Sequence, residues 1–401
     1  MAKPDILFEP MQLPCGVVLK NRIAKSAMSD SLGDGTGHPT DTQIRLYDRW
    51  AEGGLAVAIV GEVQGSPYFA EKPGNLVLNG DADLDRFRQL AEAGARNGAQ
   101  LWLQLGHAGA MAYPPISTPK GPSALDMPGL TCAQMTAEDI AALPAMFART
   151  AMLAQEAGFG GVQVHAAHGF LLSQFLSPLF NKRTDAYGGS IDRRMRLLLE
   201  VIVAIRAAVV PGFVVAVKLN ATDQLDGGLV EDDALEVIRA LEGTGIDLLD
   251  ISGGTYFPGA TSSSDSGGTG PYFLRFAERA RPITTKPLMV TGGFKTRDHA
   301  IAAVASGVVD LVGLARAFVL QPDFPVKWQR ADIALPFPKF TDPPEGGITA
   351  WYTMRLTEIG EDRERQEISD LHQTIATYEA RDRERAKTWA AYFKMGLCPV
   401  T

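Results

Sequence analysis

A short apolar run followed by a helical stretch recurs about eight times along this chain of 401 residues, and that repetition constrains the fold more than any other feature. The runs fall at residues 22–28, 55–62, 100–105, 161–165, 213–220, 246–252, 287–291 and 308–315. Most carry Val, Ile and Leu at successive positions, so both faces are apolar, as in parallel strands covered on two sides. Stretches with helical spacing lie between them, at 41–52, 82–97, 136–157, 191–209, 231–242, 271–281 and 296–305. Several close on a glycine, at Gly53, Gly98, Gly158, Gly243 and Gly307, a residue suited to the left-handed conformation that ends a helix. Strands alternating with helices give a parallel sheet, and about eight units favour an α/β fold closed into a (β/α)8 TIM barrel over an open sheet.

The segments outside the repeat complete the outline. Residues 11–20 place Pro14, Cys15 and Gly16 between apolar residues, the pattern of a hairpin capping the bottom of the barrel. Residues 108–133 are rich in Pro, Gly, Ser and Thr and read as a loop over the active face. The barrel is expected to fill residues 1–335, and residues 336–401 to form a C-terminal helical extension packed on the barrel or on a partner subunit. Within it, 361–387 is dense in Glu, Asp and Arg three and four apart, which predicts a solvated helix. A net charge of −8 argues against a nucleic-acid groove. Cys15, Cys132 and Cys398 are far apart, without a CxxC pair, which fits a cytoplasmic protein with neither a zinc nor an iron–sulfur site. No apolar run reaches the ~18 residues that would suggest a membrane span, and residues 1–10 lack the apolar core of a secretory signal.

In such barrels the active site forms at the C-terminal ends of the strands. Those ends deliver Ser26, Ala27 and Met28; Gly61 and Glu62; Gln104 and His107; His165 and His168; Lys218 and Asn220; Ser252; Gly292 and Gly293; and Ala315 and Arg316. Barrels often bind phosphate with the loops after strands seven and eight. Gly292 and Gly293 offer backbone N–H groups there, and Ala315-Arg316 adds two more and a guanidinium. His165 and His168 are three apart, just past a strand. They suit a pair of donors to a carbonyl oxygen or an anion, a metal site with a further ligand, or a structural role in satisfying buried backbone.

Four stretches then resemble the Old Yellow Enzyme family of flavin oxidoreductases. They are Leu19-Lys20-Asn21-Arg22-Ile23, Gln104-Leu105-Gly106-His107-Ala108-Gly109, His165-Ala166-Ala167-His168-Gly169, and the block from Leu176-Ser177-Pro178-Leu179-Phe180-Asn181 to Tyr187-Gly188-Gly189-Ser190. The resemblance spans residues 7–326. It implies FMN in the barrel mouth, lined by Ser26, Ala27 and Met28 and met at its edge by the backbone near Glu62. Gln104 would bond the pyrimidine portion and Lys218 would stand as the cation beside it. Gly292, Gly293, Ala315 and Arg316 would take the phosphate. The implied reaction passes hydride from NADPH or NADH, through flavin N5, to the β-carbon of an activated alkene whose carbonyl His165 and His168 hold. It implies no resident metal, and a homo-oligomer.

One departure matters for chemistry. Many relatives place a Tyr two residues after the second His as proton donor, and this chain has Phe170. Tyr68, Tyr113 and Ser31 are then candidate donors. The same site could run as a flavin dehydrogenase or demethylase in the oxidative direction, and a metal-dependent barrel hydrolase is the more distant alternative.

Overall fold

The computed structural model describes residues 5–257, 260, 270–364 and 370–395. Eight parallel strands form the barrel: β1 (Ile23–Lys25), β2 (Val57–Gln64), β3 (Gln100–Gly106), β4 (Gly161–Ala166), β5 (Val214–Asn220), β6 (Leu248–Ser252), β7 (Leu288–Thr291) and β8 (Leu311–Leu314). Neighbours pair in sequence order, and β8 returns to β1 through Leu314↔Lys25 while β1 meets β2 through Ala24↔Val57, so the ring closes. The barrel fold expected from the sequence is borne out.

Helices α1 (Asp41–Glu52), α2 (Leu84–Gly94), α3 (Ala137–Glu156), α4 (Arg196–Ala208), α5 (Glu231–Glu242), α6 (Leu274–Ala280) and α7 (Arg297–Ala305) follow the first seven strands in turn. After β8 come the short α8 (Arg316–Leu320) and α9 (Phe324–Arg330). Thr40 caps α1 by accepting from Gln43 N, and Thr136 and Asp139 form a reciprocal capping box on α3, satisfying N–H groups that a helix start leaves unpaired. Of the helix-closing glycines, Gly98, Gly158 and Gly307 are left-handed, but Gly53 and Gly243 are right-handed; after α1 the left-handed residue is Gly54.

Strand alternation sorts the core into two clusters. In β5, Val215 and Val217 point outward to the helices, and Val214 and Ala216 point into the barrel. The inward cluster also holds Ala24, Val57, Ile59, Trp102, Leu248, Met289 and Leu311. The hairpin of Met11–Gln12 with Val18–Leu19 closes this end, placing Met11, Leu13 and Leu19 in the same cluster. The lower barrel is therefore a dry plug, and any site must lie above it.

The long loop after β3 is more ordered than its composition suggests. Lys120–Gly121, Leu125–Met127 and Leu130–Gln134 form a small three-stranded sheet. The C-terminal part forms two helices, α10 (Gly347–Gly360) and α11 (Leu371–Tyr392), on the barrel of their own chain. Helix α10 lies against α1, where Arg45 Nε and Arg49 Nη1 donate to the carbonyls of Gly360 and Ile359, each at 2.8 Å. The charged helix expected over 361–387 begins instead at Leu371, and residues 365–369 lie outside the described residues. It is solvated on one face only. Thr374, Asp382, Ala386, Trp389 and Ala390 are buried, with Ala386 and Trp389 packed against Ala70, Val77 and Ile116 in loops at the top of the barrel. Trp351 and Tyr352 are buried within α10.

Candidate functional site

The site begins two residues above the plug. On successive strands, the inward position after Ala24, Ile59, Trp102, Gly161, Ala216, Leu248, Met289 and Leu311 is Ser26, Gly61, Gln104, Gln163, Lys218, Asp250, Thr291 and Gly313. An apolar layer gives way to a polar one in a single step. These side chains form one connected network. Ser26 Oγ lies 2.8 Å from Thr291 Oγ1, which donates to Asp250 Oδ1 at 2.6 Å. Gln104 Nε2 donates to Gln163 Oε1 at 2.8 Å, and Gln163 Nε2 to Asp250 Oδ2 at 3.1 Å. Lys218 Nζ pairs with Asp250 Oδ2 at 3.1 Å, both residues being almost fully buried. A buried charge needs a partner, and Asp250 supplies it. Glycine at 313 makes room: a Cβ there would meet Ser26 Oγ and Thr291 Oγ1 at 2.4 Å.

Above this layer stand the two histidines. His165 Nε2 lies 3.3 Å from His168 Nδ1, and His168 Nε2 lies 2.8 Å from Ser252 Oγ. The backbone N–H of His168 donates to Asn220 Oδ1 at 3.1 Å. Burial first, then the Lys218 ammonium and His165, hold His168 well below its ordinary pKa, so it is neutral at pH 7. His165 Nδ1 has no hydrogen-bond partner although it is buried, and it lies 3.0 Å from Glu62 Oε1. Glu62 and His168 both adopt left-handed backbone, φ 57° and 60°, a conformation that costs a non-glycine residue free energy and gathers at functional sites. Phe170 packs beside His165, ring centroids 4.7 Å apart.

At the opposite rim, Gly292 and Gly293 are left-handed, φ 102° and 83°. A Cβ on Gly293 would meet the Gly270 carbonyl oxygen at 2.1 Å, so no other residue fits. The Gly292 N–H is already donated to the Gly313 carbonyl at 3.2 Å, a partner the sequence did not reveal. Ala315 and Arg316 are partly exposed at the mouth, and the Arg316 guanidinium lies over the Tyr352 ring at 4.9 Å, which fixes its position. Ala27 and Met28 are also partly exposed, on the stretch that follows β1. The expected strand over 22–28 thus ends at Lys25, leaving Ser26–Met28 free to line the mouth.

The structure joins Ser26, Gln104 and Lys218 through shared partners and sets His165 against His168, with Glu62 beside His165. It adds residues the sequence did not single out. Asp250, Gln163 and Thr291 hold the network, and only their inward register could have marked them. Glu71 is a second addition. Burial, then the Glu62 carboxylate, push its carboxyl up to about 8, with Lys72 opposing and Asp382 of α11 adding to the rise. His107, one of the residues read at the strand ends, stacks on Phe69 at 4.2 Å, and burial lowers its pKa to about 3. Among the described residues, no group of three His, Cys, Asp or Glu side chains is placed to hold a metal ion.

These features have counterparts in known proteins. A family model described as the NADH:flavin oxidoreductase / NADH oxidase family matches residues 6–332. An NADH-dependent flavin oxidoreductase, iliE, of Neonectria sp. (strain DH2) is 36% identical over 354 residues, 79% of this chain. The chain spans 46% of that relative's own length. The protein of the same name from Hypocrea jecorina (strain QM6a) is 31% identical, with 79% of this chain and 87% of the relative covered. Morphinone reductase in complex with tetrahydroNAD is similar in structure with a TM-score of 0.69 and 25% identity, covering 83% of this chain and 93% of that one.

Proposed function

The chain belongs to the NADH:flavin oxidoreductase / NADH oxidase family, and from that premise we propose that it binds FMN in the barrel mouth and reduces an α,β-unsaturated carbonyl compound or a similarly activated alkene with NADH or NADPH. The observation that carries the reading is the buried Lys218–Asp250 pair, set in a polar layer beneath two imidazoles that face each other. Bound there, FMN supplies two-electron hydride chemistry that no side chain offers.

The residues fit that group. Lys218 and Gln104 would hold its pyrimidine end, where a buried cation favours the negative charge gained on reduction. Ser26, Ala27, Met28 and the Glu62 backbone would border its ring, and Gly293, Ala315 and Arg316 its phosphate, with Gly292, its N–H held by Gly313, shaping the turn beside them. His165 and His168 hold the acceptor. Their mutual contact at 3.3 Å is long for a hydrogen bond and is given up at small cost. A carbonyl oxygen replacing it draws on the Nδ1–H of His168, with His165 beside it, and gains most as negative charge develops on it, so this contact stabilises the transition state more than the bound substrate. The tautomer of His168 is set by its outer partner: the Ser252 hydroxyl can donate to Nε2 and leave the ring proton on Nδ1, facing the acceptor.

The setting we propose is cytoplasmic, with a small-molecule substrate and a homo-oligomeric assembly. The net charge of −8 supports it, and no helix among the described residues is long and apolar enough to cross a membrane. A second reading, oxidation of a substrate by the flavin, is favoured by Phe170, whose ring beside His165 has no proton to give.

One anaerobic experiment tests both. The purified protein should show a yellow flavin spectrum that NADH or NADPH bleaches and cyclohex-2-enone restores. Bleaching by an amine or other reduced substrate, with no response to either nicotinamide, would replace the first reading by the second. A colourless protein that takes up no added FMN would overturn both.

A further inference from the structure

Reduction of an enone needs a proton at the α-carbon, and the candidate donors offered by the sequence face elsewhere. Ser31 is buried beneath Gly74, whose Cβ, if present, would meet Ser31 Oγ at 2.5 Å. Tyr113 packs with Ala386 and Trp389, with the Lys72 ammonium 4.9 Å above its ring. Tyr68 opens into a separate cavity of about 400 Å³ that it shares with Tyr392.

Tyr256 is placed differently. It follows β6, and its backbone N–H donates to the His168 carbonyl at 3.1 Å, while Thr255 forms a parallel bridge with His168. The loop that carries Tyr256 is thereby pinned to the loop that carries the imidazoles. Its ring stands edge-on to His168 at 5.6 Å and to Phe170 at 6.2 Å. It is 63% exposed, and the charges of Glu71 and Glu62, from β2 and the loop after it, and of Arg316, after β8, act on its hydroxyl. A ring held edge-on to His168 and Phe170 and still open to solvent borders the space above the imidazoles. We propose that Tyr256 is the acid that protonates the substrate α-carbon, taking the part that Phe170 cannot; the proposal rests on the alkene-reducing reading above.

The step balances. Hydride from the reduced flavin adds at the β-carbon and leaves an electron pair shared between the α-carbon and the oxygen held by the histidines. That pair forms the new α-carbon–hydrogen bond as the Tyr256 O–H bond breaks, and the phenolate recovers a proton from water on its open side. A phenol carries its proton throughout the neutral range, and the Glu71 carboxylate raises this one further. An enolate is basic enough to take a proton from a phenol of that strength.

The test compares wild type with Tyr256→Phe, each loaded with FMN, in separate half-reactions. Bleaching by NADH should be unchanged, which also certifies the fold and the cofactor. Reoxidation by cyclohex-2-enone should slow by about 10²–10⁴-fold, the span of general acid catalysis. Reoxidation by p-benzoquinone, which needs no carbon–hydrogen bond, should be unaffected. In D₂O the wild type should deliver deuterium to one face of the α-carbon of 2-methylcyclohex-2-enone, and the variant should lose that preference. Adding Phe170→Tyr to the variant should restore both rate and preference. Unchanged reoxidation by cyclohexenone, or equal slowing with enone and quinone, would overturn the assignment and leave the alkene reading standing. A wild type that NADH bleaches but no activated alkene reoxidises would remove the alkene reading and Tyr256 with it.

Discussion

Asp250→Asn changes one oxygen for one nitrogen at the centre of the barrel and should cost more stability than a surface substitution of any size. Asp250 is fully buried and receives three donors: Lys218 Nζ, Gln163 Nε2 and Thr291 Oγ1. The amide is neutral, so the Lys218 ammonium is left buried without its counter-charge. Breaking such a pair costs about 3–5 kcal/mol. At about 2.1 cal/mol/K of unfolding entropy per residue, 401 residues give roughly 0.8 kcal/mol/K, so the thermal midpoint should fall by about 4–6 °C. Circular dichroism of the flavin-free protein measures this directly, because bound cofactor would add its own stabilisation. Lys218→Met combined with Asp250→Asn removes the stranded charge and should recover most of the loss. A drop below about 1 °C for Asp250→Asn, or a double variant that falls by the sum of its singles, would refute the claim that the pair is held by mutual need.

Three further outcomes follow from the same geometry. Gly313→Ala drives a Cβ into the Ser26–Thr291 contact; it should cost about 1–3 kcal/mol in a urea titration and weaken FMN binding in a fluorescence titration. Glu71 has a raised carboxyl, near 8, so its charge costs stability: the cost is nil near the ordinary value of 4.5, grows as pH rises, and is complete above about 8. Glu71→Gln should therefore leave the midpoint unchanged near pH 4.5 and raise it above pH 8, by on the order of 1–3 kcal/mol in urea titrations. Trp389→Ala removes a fully buried indole from the contact between α11 and the top of the barrel, and should cost about 3–5 kcal/mol in the same titration.

The barrel could be read from the sequence because parallel strands covered on both faces leave apolar runs that polar connections interrupt. Helix spans such as 41–52 and 231–242 coincide with α1 and α5 because their apolar stripes begin and end at clear caps. The strand ends were legible too: Gln104, Lys218, His165 and His168 are polar residues closing apolar runs. Asp250 escaped notice because it lies inside such a run, Leu248–Ser252, where only the inward register separates it from its neighbours. The Asp382 charge reaches Glu71 only because α11 folds back over the loops after β1 and β2, an influence between residues 311 positions apart that no local pattern announces. The buried face of α11 was hidden by composition, since Ala386, Trp389 and Ala390 are set among charged residues that dominate the segment.

The hydrogen bond from Arg385 Nη1 to the Ser31 carbonyl, 2.6 Å long, joins residues 354 positions apart in the chain. The loop after β1 is among the first parts of the barrel to leave a ribosome, and its partner follows 354 residues later. At about 5–20 residues per second, the wait between them is roughly 20–70 s. Through that interval the barrel can close while its mouth stays open and the Glu71 carboxyl is still wet. Helix α11 therefore acts as a timer as well as a wall: the pocket is finished only once residue 385 has been made, so a product that stops before it would carry a barrel without a completed site.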